Sequence, residues 1–233
     1  MATLGDIVEG FVPPPMPGPM TLTGRYVTLA PLGAADVPAL DAANRVSDAI
    51  WDYLPYGPFP DRAAYAAWVA SVADRPDPRF YTLTPAGAEG PMGVASLMRV
   101  FPEHGTIEVG HICLAPALQR TRAASEMIYL FADWVFTAGY RRFEWKCDVL
   151  NLPSRRAAER FGFAFEGVFR QHLIVKGRNR DTAWFAMTDR DWPCLKAAWQ
   201  AWLDPANFDA DGQQRTRLGS LTAPCHVAAQ PGP

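Results

Sequence analysis

The sequence has no strong excess of charge of either sign. Its 22 lysines and arginines nearly balance its 24 aspartates and glutamates, so the formal net charge is −2. A protein dedicated to nucleic acid usually carries a basic excess or a basic stripe that attracts the phosphate backbone. We therefore do not expect nucleic acid to be its main partner.

Long apolar runs are also missing. No stretch approaches the roughly 18 uncharged apolar residues that a membrane-spanning helix requires. The opening residues, MATLGDIVEGF, have neither the basic region nor the continuous apolar region of a secretory signal. The sequence therefore predicts a cytoplasmic protein with no membrane partner. Its apolar content of 49% and charged content of 20% are typical of a folded globular protein.

Cysteine and histidine are scarce, with four of each in the chain. The cysteines, Cys113, Cys147, Cys194 and Cys225, show no CxxC spacing and no cluster with the histidines, so no metal is expected. All four are predicted to be free thiols in a reducing compartment. Cys113 and Cys147 lie in strand-like runs, where a small buried apolar role is expected.

The length of 233 residues suits one domain with extensions at both ends. A proline-rich arm is expected over 1–20, because FVPPPMPGPM at 11–20 suits neither a helix nor a central strand. The domain itself is predicted over 21–190. A C-terminal helix and tail follow over 191–233, and the part after 204 has no periodicity and is expected to be an arm or a loose tail.

Alternating and helical periodicities give the expected order of elements. A change from period two to period 3.6 marks the strongest one, an amphipathic helix over 122–138. The order of strands and helices predicts a mixed sheet in an α+β or α/β sandwich. Strands are expected at 25–32, 79–85, 92–101, 105–116 and 141–149, with a final hairpin of two strands over 164–188; further helices are expected near 36–46, after Asp61, at 151–161 and at 195–203.

An irregular aromatic segment, SDAIWDYLPYGPFPD at 47–61, separates the first two predicted helices. It either forms the wall of a cleft or covers one edge of the core, and the sequence does not separate these alternatives. If it lines a cleft, Trp51, Tyr53 and Tyr56 are the candidate substrate-binding residues.

Two basic stretches leave similar alternatives open. The loop QRTRAAS at 119–125 precedes the long helix, whose first-turn amides and positive dipole end suit a pyrophosphate. Arginines there are equally compatible with simple solvation. The final hairpin also concentrates basic residues, which either meet an acidic substrate or lie in solvent.

Several motifs together resemble the GNAT superfamily of acyl-CoA N-acyltransferases, and within it the branch of ribosomal-protein alanine acetyltransferases. They are the strand IEVGHICLAP, the loop QRTRAA, NLPSRRAAERFGFAFEGVFRQ at 151–171 and VKGRNRDTAWFAM at 175–187. The resemblance covers about 21–190. It implies an α+β fold whose mixed, largely antiparallel sheet of about six to seven strands is flanked by helices, with acetyl-CoA as cosubstrate.

The resemblance also implies where acetyl-CoA binds. In the family, two neighbouring strands diverge and the pantetheine arm lies between them, here between 108–115 and 144–149. Arg122 stands where the family's loop has its first glycine, so phosphate binding would rely partly on the guanidinium of Arg122 or Arg120. The implied cofactor-binding residues are Leu114, Gln119, Arg120, Thr121, Arg122, Ala123, Ala124, Asn151 and Ser154.

The reaction implied is direct attack of an amine on the thioester, which needs a base and an acid. Ala158 occupies the position of the tyrosine acid of many members, whereas Ser154 matches the serine acid proposed for this branch. Ser154 could instead be an ordinary helix cap. Glu108 and Asp148 are the candidate bases, although either could be structural, and His111 could relay a proton or simply be half-buried.

These inferences predict an acetyl-CoA-dependent N-acetyltransferase acting on a protein N-terminus or a small-molecule amine. The alternative is a catalytically silent acyl-CoA-binding sensor or interaction module, suggested by the missing tyrosine and the altered loop glycine. An RNA-associated factor is a third hypothesis. The sequence leaves the acceptor and the existence of a homodimer open.

Overall fold

The computed structural model describes residues 4–226, in which eight strands form a single sheet. The strands are β1 (Leu22–Thr23), β2 (Val27–Pro31), β3 (Arg79–Pro85), β4 (Gly93–Phe101), β5 (Thr106–Leu114), β6 (Arg142–Asp148), β7 (Ala164–Val175) and β8 (Arg178–Thr188). The helices are α1 (Val37–Asn44), α2 (Arg62–Val72), α3 (Arg122–Thr137), α4 (Leu152–Phe161), α5 (Trp192–Leu203) and α6 (Leu218–Thr222). Single 3-10 turns occur at Ala34–Asp36, Asp48–Trp51, Pro102–His104, Pro205–Asn207 and Ala223–Cys225.

The strand order is β1-β2-β3-β4-β5-β6-β8-β7. Neighbouring strands are antiparallel except β5 and β6, which are parallel and connected through α3. The predicted α+β class and the mixed, largely antiparallel sheet flanked by helices are therefore confirmed. The sheet has one strand more than the upper prediction, and the additional strand is the two-residue edge strand β1, which the sequence did not indicate.

Helices cover both faces of the sheet. Successive strand residues point to opposite faces, and β3 shows the division: Phe80 packs with α1 and α2, whereas Tyr81 packs with α3. The buried stripe of α3 includes Ile128 and Phe131, as its helical periodicity predicted. The core thus has two parts, one on each side of the sheet.

The parallel pair β5–β6 stays together over only part of its length. Pairing runs from Thr106–Arg142 to Val109–Trp145 and then stops, so the strands diverge beyond that point. The opening lies between 110–114 and 146–148, inside the range expected from the sequence. A bulge in β5 at the start of the opening places His111 at φ 51°, in the left-handed region.

The N-terminal arm is attached to the domain. The hydroxyl of Tyr140 donates to the carbonyl of Pro15 at 2.8 Å, and the hydroxyl of Tyr81 donates to the carbonyl of Gly18 at 2.8 Å. Pro14 and Pro17 are buried. Residues 11–20 therefore pack on the domain, and residues 1–3 of the predicted arm lie outside the described residues.

The C-terminal segment differs from the predicted arm or loose tail. It contains α6, whose Leu218 is completely buried, and Phe208 packs on Trp202 of α5. The prediction of four free thiols is wrong, because Cys194 and Cys225 form a disulfide. The two cysteines are 31 residues apart, and only the folding of α6 back onto α5 brings them together.

Cys113 and Cys147 are buried free thiols, as predicted. Residues 227–233 of the tail lie outside the described residues. Within 4–226, no helix combines the length and the apolar character that crossing a membrane demands.

Candidate active site

A cleft of about 270 Å³ opens where β5 and β6 diverge. It reaches from Asn151, which precedes the first turn of α4, to the β7–β8 hairpin. The aromatic segment at 47–61 closes one side. Its walls are formed by Tyr53, Leu54, Pro55, Met98, Arg99, Glu108, Val109, Gly110, His111, Ile112, Trp145, Lys146, Cys147, Asp148, Asn151, Ser154, His172, Leu173, Val175, Arg180 and Thr182.

Ser154 lies in the first turn of α4, but its hydroxyl does not cap the helix. The cap is Asn151, whose side-chain oxygen accepts from the amide of Ser154 at 3.1 Å. The hydroxyl oxygen of Ser154 instead accepts a hydrogen bond from Nε1 of Trp145 at 3.0 Å. An indole N–H can only donate, so the proton of Ser154 is not used in this bond and can be donated elsewhere.

Glu108 is buried on β5 and held by two cations. Its Oε2 lies 2.8 Å from Nζ of Lys146 and 3.3 Å from Nε of Arg99. Lys146 also lies 2.7 Å from Oε2 of Glu144 and over the ring of Trp184. Burial raises the pKa of Glu108, and the charge of Lys146 opposes this effect. A carboxylate in this setting binds a proton more readily than an exposed one.

Asp148 also borders the cleft, at the end of β6. Its Oδ1 accepts from the amide of Leu150 at 2.9 Å and so fixes the turn into α4. It does not cap that helix, because Asn151 does. Of the two predicted bases, Glu108 is the more deeply buried.

His111 lines the cleft from the bulge in β5. Its ring stacks on Tyr56 with centroids 5.5 Å apart and packs against Phe80 at 5.1 Å. Nδ1 is buried and has no hydrogen-bond partner within 4–226. Burial lowers the pKa of His111 to about 4, and the positive charge of Arg180 acts in the same direction. The imidazole is therefore neutral at physiological pH.

The aromatic segment serves both purposes that the sequence suggested. Tyr53 lines the cleft and donates from its hydroxyl to the carbonyl of Leu150 at 3.2 Å. Trp51 is buried in the smaller core cluster, and Tyr56 packs against that cluster. Of the three candidate substrate-binding residues, Tyr53 alone is among the residues that line the cleft.

The loop before α3 ends in a helix cap with free amides. Thr121 is the cap, and its hydroxyl accepts from the amide of Ala124 at 3.1 Å. The amides of Arg122 and Ala123 make no hydrogen bond to any residue of 4–226. Gln119 donates to the carbonyl of Leu114 at 3.0 Å and braces the loop against β5. The first turn of α3 can therefore accept an anion.

Two arginines flank this turn. The guanidinium of Arg122 lies between the rings of Phe208 and Tyr26, at 4.5 and 4.7 Å from their centroids. Arg160 of α4 donates to the hydroxyl of Ser125 at 2.8 Å, and it forms no ion pair with a carboxylate in the described part of the chain. Burial lowers the pKa of Arg160. A half-buried cation without a counterion beside free amides is suited to phosphate.

Sequence reasoning missed Trp145 and Lys146 and treated the basic hairpin as one group. The structure divides that group: Arg180 and His172 line the cleft, whereas Lys176 donates to the carbonyl of Trp51 at 2.8 Å. The alternation of β8 would place Arg180 on the same face as Thr182. That alternation does not show which other strands line the same cleft as Arg180.

Comparisons with known proteins agree with this geometry. The model of the acetyltransferase (GNAT) domain matches residues 27–164. A GCN5-related N-acetyltransferase from Brucella melitensis has a similar solved structure, with 44% identity, a TM-score of 0.90, and coverage of 93% of this chain and 100% of that one. A probable acetyltransferase of the GNAT family from Chromobacterium violaceum is 38% identical, with a TM-score of 0.77 and coverage of 83% and 98%.

A more distant structure shares the fold. It is the acetyltransferase from Salmonella typhimurium that modifies the N-terminal serine of ribosomal protein L7/L12, with 20% identity, a TM-score of 0.62 and coverage of 72% and 99%. A search of the curated proteins found no match to the chain.

The chain belongs to the GNAT acetyltransferase family. The family match makes it a transferase, and members of this family use acetyl-CoA. Within 4–226, no group of three or more histidine, cysteine or acidic side chains is arranged to hold a metal ion.

Proposed function

We propose that this protein transfers an acetyl group from acetyl-CoA to a primary amine by direct attack. The observation that carries the proposal is the position of Ser154, whose hydroxyl oxygen accepts from Trp145 and so keeps its proton out of that bond, at the cleft where β5 and β6 part. A buried carboxylate, Glu108, borders the same cleft. A donor of protons and an acceptor of protons thus face one space, as amine acylation requires.

The residues present fit acetyl-CoA. The free amides of Arg122 and Ala123, with the cation of Arg160 nearby, suit its phosphates. The unpaired edges of 110–114 and 146–148 suit its amide-bearing arm, and the side-chain amide of Asn151 has its nitrogen available for the same arm. When bound, acetyl-CoA supplies an acetyl group activated as a thioester.

Glu108 is the base that we propose. The acceptor arrives as an ammonium, whose ordinary pKa is about 10, and it must lose a proton before it can attack. A buried carboxylate with a raised pKa is a better proton acceptor than an exposed one. The ion pairs with Lys146 and Arg99 keep the carboxylate in place at the cleft.

Ser154 is the acid that we propose. The thiolate that leaves must gain a proton, and the hydroxyl of Ser154 has one to donate because its oxygen accepts from Trp145. The hydrogen bond from the indole also stabilises negative charge on the serine oxygen as the proton leaves. Ala158 is completely buried in the core, so no side chain at that position takes part.

The acceptor is a protein N-terminus or a small-molecule amine. A protein N-terminus is suggested by motifs shared with the ribosomal-protein alanine acetyltransferase branch. The open cleft beside the aromatic segment also accepts a small amine. Tyr53 at its wall is the side chain that we expect the acceptor to meet.

The test measures release of free thiol from acetyl-CoA with a panel of amines, including amino acids, peptides, polyamines and amino sugars. Turnover with any of them supports the proposed function. Tight binding of CoA, with no thiol release from acetyl-CoA in the presence of any amine, would instead favour a silent acyl-CoA sensor. A titration of CoA by calorimetry, run beside the kinetic assay, separates these results.

A further inference from the structure

Three positive side chains line the cleft, in the same wall as Glu108 and Asp148. Arg99, Lys146 and Arg180 all line it, and all three act on His172, whose pKa is lowered by burial first and then by these charges. The charge of Arg180 acts in the same way on His111. Beside His172 and His111 these charges therefore favour a negative group.

Two of these cations already have a carboxylate. Lys146 and Arg99 both contact Oε2 of Glu108. Arg180 is different, because it forms no ion pair with a carboxylate anywhere in residues 4–226. The acidic neighbour on its own strand, Asp181, accepts from the amide of Gln171 at 2.7 Å.

The terminal guanidinium nitrogens of Arg180 are available to a ligand. Its Nε donates to the hydroxyl of Thr182 at 3.2 Å, and Thr182 is itself completely buried. A guanidinium has five N–H donors, so its terminal nitrogens remain available. This contact leaves the pair of donors that binds carboxylate or phosphate in a bidentate manner.

The guanidinium of Arg180 is also partly withdrawn from water. Arg180 is half-buried, and a charge withdrawn from water without a partner is unfavourable. A ligand anion would supply the missing partner. A polycationic acceptor would instead place further positive charge beside Arg180, Arg99 and Lys146.

We propose that the acceptor is a small amine that carries its own oxyanion, a carboxylate or a phosphate, and that Arg180 binds this group and so sets acceptor specificity. This inference rests on the proposed function of the cleft. Arg180 then favours anionic amines, such as amino acids or amino phosphates, over polyamines.

The experiment compares matched amines with and without an anionic group. The pairs are L-amino acids with their carboxamides and ethanolamine phosphate with ethanolamine, and spermidine is the polycation. The wild-type protein is expected to prefer the anionic member of at least one pair by about tenfold or more in kcat/KM. Preference within the first pair identifies a carboxylate, and preference within the second identifies a phosphate.

Variants assign the preference to one side chain. Arg180→Gln should reduce it to within about threefold, chiefly by raising KM for the anionic amine. Arg180→Lys should restore part of it, because the charge returns without the planar fork. Arg178→Gln is the matched control, since Arg178 is exposed at the start of β8 and does not line the cleft.

Three results would overturn the inference. These are a wild-type preference for the amines that lack an anionic group, an unchanged preference in Arg180→Gln, or an equal loss in Arg178→Gln. Thermal unfolding of each variant shows whether the fold is kept. Absence of thiol release with every amine is a different failure, because it removes the proposed function and this inference with it.

Discussion

The indole of Trp145 donates a 3.0 Å hydrogen bond to the hydroxyl oxygen of Ser154. The two residues are nine positions apart, one on β6 and the other on α4, and both border the cleft. The bond orients the serine and leaves its proton for another acceptor. It therefore distinguishes Ser154 from a helix-capping serine, whose oxygen would accept from a backbone amide.

Removing the hydroxyl of Ser154 should impair the chemical step. We expect Ser154→Ala to lower kcat by about tenfold or more, the usual range for loss of a general acid, while the Kd for CoA stays near that of the wild type. Steady-state thiol release and calorimetric binding measure the two quantities. Ser220→Ala on the exposed face of α6 is the control, and an unchanged kcat in Ser154→Ala, with chemistry rate-limiting, would reject the acid.

Trp145 should act through Ser154. Trp145→Phe keeps an aromatic ring against Phe161 and Phe163 but removes the N–H donor. We expect kcat to fall about threefold to tenfold, with little further loss when Ser154→Ala is added, because the two residues form one unit. Losses that multiply in the double variant would show that Trp145 contributes independently of the serine.

His111 should make the fold sensitive to acid. Its pKa is about 4 in the folded protein and 6.5 ordinarily, so between these values the unfolded chain takes up the proton and the folded chain does not. The stabilising contribution is complete above pH 6.5 and is lost as the pH falls toward 4, at a cost of about 2–3 kcal/mol by pH 4.5.

His111→Asn should remove that dependence. Asparagine tolerates the positive φ of this position, so the backbone is preserved. Urea unfolding of both proteins at pH 7 and pH 4.5 gives the difference, in which all the carboxyl groups common to the two proteins cancel. Equal losses of stability in wild type and variant would show that His111 is not responsible.

The disulfide should stabilise the C-terminal segment. Closing a loop of 31 residues contributes about 3–4 kcal/mol in the chain-entropy model. We expect Cys225→Ser and the double variant with Cys194→Ser to lose the same amount, because each removes one bridge. Urea unfolding measures the loss, and thiol titration of the unfolded, unreduced wild type should find two thiols; finding four would contradict the bridge.

Local patterns predicted most of the fold. The change of period at 122–138 identified α3, and the strand boundaries at 79–85 agree with β3 to the residue. These elements bury faces that are visible within a short stretch of sequence. The place where β5 and β6 diverge followed from the resemblance to a family.

Contacts between distant segments were not predictable. Glu126 lies outside the predicted apolar stripe of α3, yet it is buried and accepts from the amides of Arg25, Tyr26 and Val27, about a hundred residues away. The surroundings of Arg180 were equally unpredictable, because the cleft that it lines also includes His111 of β5 and Cys147 of β6. Periodicity reports which face a residue occupies, whereas the identity of the neighbour depends on how the whole sheet assembles.

Arg180 lies in a later part of the chain than the residues proposed to bind and cleave acetyl-CoA, although the strand order β6-β8-β7 places its strand beside β6. The family model ends at residue 164, so the first turn of α3, Ser154 and Glu108 fall inside it and the hairpin with Arg180 falls outside. The residues that we propose for acetyl-CoA thus lie within the matched part of the chain, whereas Arg180, which we propose for the acceptor, lies beyond it. Because β8 also supplies the buried core residues Ala183, Phe185 and Met187, a new amine specificity would be sought by substitution at Arg180 and not by exchange of the hairpin.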